Sequence, residues 1–366
     1  MPAPHLTSAA DAFSAARRIS ALPPGHPGHR LHGHNFRVGA LLRDPSVPGP
    51  GAVSALQSRL ARVLDPLRHA DLNGLLAQPT DAALARWIGT QLGSDCLHRL
   101  SVASTDDHGA DLLADGSMAA WRRYRFESAH RLPNVPAGHK CGRMHGHGFA
   151  ALVRVRCPGS DEAAGAHERI DRAWAPLGGQ LDHQCLNALP GLENPTSELL
   201  AAWLWRRLQP ALQDLERVSV FETASCGACH DGHAFRIWKD FTLDSAMQCS
   251  GMPDSAAPAR LHGHTYLLRL VLQAPLDTVL GWTIDFGDVK AVFDPVFRRL
   301  DHHPLHELPE GRGGTPAVAQ WIVRTAGAKL PALSAVELYE TAGCGVIQCA
   351  AGRSGADLLD LPPVMP

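Results

Sequence analysis

Apolar and β-branched residues crowd the stretch from Gly148 to Arg156, and a shorter strand candidate spans Phe126 to His130. Both predict strands. Between Thr196 and Leu212 the apolar positions fall at amphipathic-helix spacing. Asn194-Pro195-Thr196 reads as its start, with Glu198 in the first turn. A further helix is expected at about Ala166 to Leu177, and a short strand at Val218 to Glu222. The predicted order is strand, strand, helix, helix, strand, strand, an α+β pattern.

The pattern recurs. His-Gly-His occurs at His32-Gly33-His34, His145-Gly146-His147 and His262-Gly263-His264, so the copies are 113 and then 117 residues apart. Each is preceded by a long residue (Leu31, Met144, Leu261) and followed two positions on by an aromatic (Phe36, Phe149, Tyr266). Flanking segments recur with it: FSAARRI, FESAHRL and LDSAMQC upstream, and RHADLN, LDHQCLN and LDHHPLHEL downstream. Then come PTDAALARWI, PTSELLAAWL and TPAVAQWIV, followed by RLSVAST, RVSVFET and AVELYET. Three domain-sized units are expected, at 1–117, 118–238 and 239–366.

Composition narrows the classes. The 366 residues exceed one ordinary domain, and 45% hydrophobic with 19% charged residues supports a packed core. A net charge of −2 with no basic run offers no field for nucleic acid. No charged n-region with an apolar run opens the chain, and no apolar stretch approaches a membrane span. A cytoplasmic location is the default expectation. The nine cysteines are then thiols, ligands or catalytic groups rather than disulfides.

The chemistry concentrates in the middle unit. Histidines at i and i+2 on a strand share a face, and the glycine between keeps the other face small. His130 lies 15 residues before His145 on the preceding strand. Three imidazoles suit Zn²⁺ with a fourth position open, the catalytic arrangement. The alternative is a loop of exposed histidines. Cys141, four residues before His145, can serve as base or nucleophile beside a cation, or be a loop thiol. Asp182-His183 suits a proton relay. Glu222 ends an apolar strand and can accept two hydrogen bonds from a guanidine-like edge, or serve as a buried salt-bridge partner. Cys226-Gly227-Ala228-Cys229-His230 fits a haem-attachment pattern, but no export signal accompanies it. A second zinc or a redox pair there is the other reading.

The segments FESAHRLPNVPAGHKCGRMHGHGF, LDHQCLNALPGLENPTSELLAAWLW and VSVFET resemble the 6-carboxytetrahydropterin synthase branch of the 6-pyruvoyltetrahydropterin synthase family. The third unit resembles the family through LHGHTY, GWTIDFGDVK, RLDHHPL and VELYET, and the first more distantly. The resemblance implies that His130, His145 and His147 bind zinc. It implies Cys141 as general base, His183 backed by Asp182 as proton relay, and Glu222 as pterin anchor. Lys140 and Arg143 flank the cysteine, as phosphate contacts or as solvated charge. The implied substrate is 7,8-dihydroneopterin triphosphate. The products would be 6-carboxytetrahydropterin, acetaldehyde and triphosphate, on a queuosine-type route. A sister pterin lyase, making 6-pyruvoyltetrahydropterin or cleaving the dihydroneopterin side chain, and a non-enzymatic pterin-binding scaffold are the alternatives.

The resemblance also implies three tandem tunnelling-fold domains, each an antiparallel sheet with two helices. They would close into one pseudo-trimeric barrel, with a homodimer of stacked barrels as a further option. The outer units have lost residues. The first has Arg17, Gly28, Arg68 and Ser104 where the middle has His130, Cys141, Asp182 and Glu222, and keeps His32, His34 and His69. The third has Met247 and Pro258 for His130 and Cys141, and keeps His262, His264, Asp301, His302 and Glu340. No tight zinc is expected in the third, because thioethers prefer softer ions. If active sites form between neighbours, either Glu222 or Glu340 could anchor substrate at the middle site.

Overall fold

The structure, a computed structural model, describes residues 5–43, 49–93, 96–253, 255–309 and 311–353. The first four residues, part of the segment read for a leader, lie outside that set. The first unit contributes β1 (His5–Arg17), β2 (His32–Leu42), α1 (Ala52–Leu64), α2 (Asp81–Leu92), β3 (Leu97–Ala103) and β4 (His108–Leu113). The second runs β5 (Met118–His130), β6 (His145–Cys157), a short α3 (Ser160–Ala164), α4 (Ala166–Leu181), and a two-residue β7 (Gln184–Cys185). It continues through α5 (Ser197–Leu208), β8 (Leu215–Thr223) and β9 (Cys226–His230). The third runs β10 (Phe235–Met247), β11 (His262–Gln273), α6 (Phe286–Phe297), α7 (Thr315–Gly327), β12 (Leu333–Thr341) and β13 (Cys344–Cys349). The expected division at 238/239 falls inside β10.

Twelve strands form one closed antiparallel ring in the order β4-β3-β2-β1-β13-β12-β11-β10-β9-β8-β6-β5, with β5 returning to β4. Two junctions between units are hairpins, β4 to β5 and β9 to β10. The third, β1 against β13, joins the two ends of the chain through pairs such as His5↔Gln348 and Ser8↔Gly345. Closure leaves no free strand edge in the ring, which is a physical reason to keep all three units.

The strands are two-faced. On β6, Phe149, Ala151, Val153 and Val155 join the core cluster that also holds Ile170, Trp174 and Leu177 of α4 and Leu200 and Leu204 of α5. That core runs continuously through the first and second units. A separate core serves the third and takes in Val53 of α1. On the other face of β6, Arg154 is buried against Asp111 and Glu216. Arg269 on β11 is likewise held by Asp240 at 2.7 Å and Glu337 at 3.3 Å. Buried guanidiniums persist only when paired in this way.

The second helix of the first unit and the last helix of the second start as their sequences dictate. Thr196 caps α5 by accepting from Leu199 N–H, and Thr80 caps α2 by accepting from Ala83 N–H. Among the described residues, no helix is long and apolar enough to cross a membrane.

Candidate active site

The register of β5 against β6 places His130 directly opposite His145. Strand parity puts His145 and His147 on one face. Gly146 cannot be larger without disturbance, because a Cβ there would lie 3.1 Å from the Ser128 carbonyl oxygen. The three candidate ligand atoms lie within 4.8 Å of one another, the one such histidine, cysteine or carboxylate cluster among the described residues. Their orientation is fixed from behind. His130 Nδ1–H donates to the Pro195 carbonyl at 3.0 Å, and His145 Nδ1–H to the Arg143 carbonyl at 2.7 Å. A carbonyl only accepts, so the neutral tautomer that fits each bond leaves the lone pair on Nε2. The Nε2 atoms of His130 and His147 are buried without a hydrogen-bond partner. Burial also pushes both rings toward the neutral form, against an opposing pull from Glu222. Neutral imidazoles with free, convergent nitrogens fit a divalent metal.

Cys141 sits at the centre of a 3-10 turn, Lys140–Gly142, and is half-buried. Burial pushes its thiol up, and Glu222 and Asp285 add to this while Lys140 opposes it. Glu222, near the end of β8, accepts from the Ser197 hydroxyl at 2.5 Å, and its other oxygen stands 3.5 Å from His147 Nε2. Lys140 and Arg143 are both exposed.

The third unit packs against the start of α5, beside this site. Asn134, Asn194 and Thr196 donate to the carbonyls of Val279, Leu280 and Gly281. Thr283 donates to Glu198 twice, from its N–H at 2.7 Å and its hydroxyl at 3.0 Å. Glu198 is 2% exposed, and burial above all pushes its carboxyl up to about 7. The sequence reading took Glu198 only as a helix-start residue and missed this role. The signal was present in GWTIDFGDVK, but nothing local says that this segment serves another unit.

Asp182 and His183 lie against β5, where Asp182 accepts from the Glu127 N–H at 2.9 Å and the His183 N–H donates to the Glu127 carbonyl at 2.6 Å. His183 holds a left-handed backbone (φ 55°), and its ring pairs with Asp182 at 3.0 Å while 79% exposed. His69 and His302 share that backbone conformation. A non-glycine residue in this region is uncommon, and such conformations cluster at functional positions. No hydrogen bond or ion pair connects His183 to Cys141 among the described contacts. Glu340 belongs to the third unit's own surroundings: it accepts from Thr315 and stands beside His264 and Tyr266. Of the two candidate anchors, the structure brings Glu222 to the triad. Glu222→Gln is therefore expected to cut kcat/KM about 10²-fold or more, the loss from a charged hydrogen-bond pair plus an unpaired buried group. Glu340→Gln should leave it within about twofold. Steady-state kinetics of the two variants check the ranking, and the reverse order would move the anchor to the third unit.

The outer units show why their sets differ. Arg17 lies opposite His32, and Met247 opposite His262, where the second unit has His130 opposite His145. Arg17 is locked by Asp81 at 2.6 Å, with side chains only 4% and 3% exposed. Ser104 also donates to Asp81 at 2.8 Å. The second unit carries its carboxylate on the strand (Glu222) and its hydroxyl on the helix (Ser197); the first unit has exchanged them. A guanidinium thus fills the first unit's metal position. Burial, then Arg17, lowers His34 to about 4. Arg17→Ala would leave Asp81 buried and unpaired, and is expected to cost about 3–5 kcal/mol in urea denaturation. A loss under about 1 kcal/mol would show that the pair is not what holds α2 against β1 in the first unit.

Cys226 and Cys229 are both buried on β9, at i and i+3, and so face opposite sides of the strand. Neither a shared metal nor a redox pair can form there.

The barrel and the convergent histidines define the class. The profile of the 6-pyruvoyl tetrahydropterin synthase family matches three times, over residues 7–113, 119–233 and 236–349. The chain belongs to that family, as three tandem copies, and is an enzyme of its pterin lyase class. It is similar to the 6-carboxy-5,6,7,8-tetrahydropterin synthase of Synechocystis sp., 37% identical over 116 residues, covering 30% of this chain and 88% of the relative. It is also similar to the dihydroneopterin monophosphate aldolase of Pyrococcus furiosus, 33% identical over 89 residues, or 24% and 75% of the two chains. Among solved structures, the 6-pyruvoyl tetrahydropterin synthase of Caenorhabditis elegans is 20% identical. It covers 29% of this chain and 89% of its own, with a TM-score of 0.27.

Proposed function

We propose that the chain is a zinc-dependent lyase with one working site, which turns 7,8-dihydroneopterin triphosphate and water into 6-carboxytetrahydropterin, acetaldehyde and triphosphate. The observation that carries this reading is the convergence of His130, His145 and His147, with the Nε2 atoms of His130 and His147 buried without a hydrogen-bond partner and Glu222 3.5 Å from His147. His130, His145 and His147 hold the metal, whose contribution when bound is to polarise side-chain oxygens and so acidify the adjacent C–H bonds. Glu222 accepts two hydrogen bonds from the guanidine-like edge of the pterin and fixes the ring. Cys141 removes the side-chain proton, and His183, supported by Asp182, relays protons. Lys140 and Arg143 meet the phosphates. The product serves a deazaguanine route, and two barrels stack as a homodimer.

The test is turnover of 7,8-dihydroneopterin triphosphate by the zinc-loaded protein, with products resolved by mass spectrometry. Acetaldehyde with 6-carboxytetrahydropterin supports the reading. Likeness to the Pyrococcus furiosus aldolase favours a second reading, side-chain cleavage of a dihydroneopterin phosphate, which a different pterin product would support. Zinc bound without any product would overturn both.

A further inference from the structure

His139 occupies the turn that carries Cys141, and it is held from two sides. Its Nδ1 accepts from the Cys141 backbone N–H at 3.2 Å, capping the turn. Its Nε2 faces Asp285 Oδ2 of the third unit at 3.6 Å, and its ring lies 5.9 Å from that of Trp282. Asp285 is itself anchored, since its Oδ1 caps α6 by accepting from Gly287 N–H at 2.7 Å and Asp288 N–H at 3.2 Å. The cysteine turn is thus fastened to the start of a helix in the next unit.

The arrangement is graded around the ring. At the junction of the first and second units, His26 caps the equivalent turn at Gly28 N, and its Nε2 stands a looser 4.0 Å from Glu168. Gly28 holds the position of the cysteine there. In the third unit the capping position is Ala256, with no side-chain cap, and Pro258 replaces the cysteine. Only at the second junction are the cap, the near carboxylate and the thiol present together.

We infer that His139 and Asp285 are positioning residues that fix the Cys141 turn across the junction, with Asp285 supplied by the third unit. The inference deepens the proposed lyase reading and rests on Cys141 being its base. A buried or half-buried group on a 3-10 turn has few restraints of its own, because such turns have poor hydrogen-bond geometry. A cap and a charge partner supply two.

The test uses the full chain and three variants. Asp285→Asn keeps the α6 cap, since asparagine caps as well as aspartate, and removes a charge that faces His139 and also pushes the Cys141 thiol up, so alkylation rates are compared per thiolate from their pH dependence. His139→Ala removes the cap, and His139→Asn restores a capping oxygen. Two readouts are taken: steady-state kinetics with metal content, and the rate of Cys141 alkylation by iodoacetamide, followed at that peptide by mass spectrometry. The expected result is a kcat about 5–10-fold lower in His139→Ala, the size of one lost hydrogen bond, and about 2–5-fold lower in Asp285→Asn, which loses only the charge contact, with KM and metal content near wild type. Cys141 alkylation should be several-fold faster in both, and His139→Asn should recover part of each loss. Alkylation and kcat unchanged in Asp285→Asn and His139→Ala would overturn the inference. Equal loss of metal or of fold would also overturn it, by making the contact merely structural; if His139→Ala fails to fold, Asp285→Asn decides alone. Should wild type lack lyase turnover while alkylation shifts as expected, the lyase reading fails and the positioning role stands.

Discussion

Cys141→Ala is expected to lower kcat by about 10²–10⁴-fold, the usual contribution of a positioned base. Metal content and thermal stability should stay near wild type. The second expectation follows from the geometry. Cys141 is half-buried, it lies outside the packed cores, and its turn is capped through the backbone N–H rather than the thiol. Loss of Sγ therefore leaves both the cap and the triad in place. Serine is expected to serve little better, because its hydroxyl ionises far less readily than a thiol. Burial, Glu222 and Asp285 all push the free thiol up, so its use as a base depends on opposing positive charge. Lys140 supplies part of that charge, and a bound cation would supply more. Steady-state kinetics with metal analysis on the same preparation check the result. A variant within about threefold of wild type would remove Cys141 from the chemistry.

His145→Ala is expected to take bound zinc from about one per chain to near zero after dialysis, and turnover with it. Two imidazoles are a poor divalent site, and neither outer unit can compensate. At the matching positions the first unit places a guanidinium locked to Asp81, and the third a thioether. The partial exposure of His145 makes it the better choice than buried His130, whose removal would also open a cavity at the end of β5. Loss of zinc should lower the melting temperature of the zinc-loaded protein by mass action, because a ligand that binds only the folded state stabilises it. Elemental analysis and thermal melts with and without chelator measure both effects. Zinc retained at about one per chain in His145→Ala would place the metal elsewhere.

Much of the site was legible because its information is local. Parity along a strand puts His145 and His147 on one face, and the constant offset between units identified Arg17 and Met247 as the residues opposite the histidine pair. The 3-10 turns place Gly28, Cys141 and Pro258 in matching central positions, as the repeat alignment required. The strand and helix order of the second unit was also readable, since apolar spacing follows backbone period. Asp81 was missed because the exchange of carboxylate and hydroxyl spans residues 81 and 104, which no single motif contains. Asp182-His183 was legible as a pair, but its exposed place against β5 was not.

By itself, then, the sequence determined the three units, their secondary structure and which unit carries three histidines at converging positions, since each of these follows from spacing within one unit. The tertiary structure alone decided which unit stands against which. It put the start of α6 over the cysteine turn, brought Thr283 to Glu198, and assigned Glu222 rather than Glu340 to the triad. Those contacts join residues far apart in the chain, His139 with Asp285 and Glu198 with Thr283 across two units and His147 with Glu222 within one, and no local periodicity encodes them.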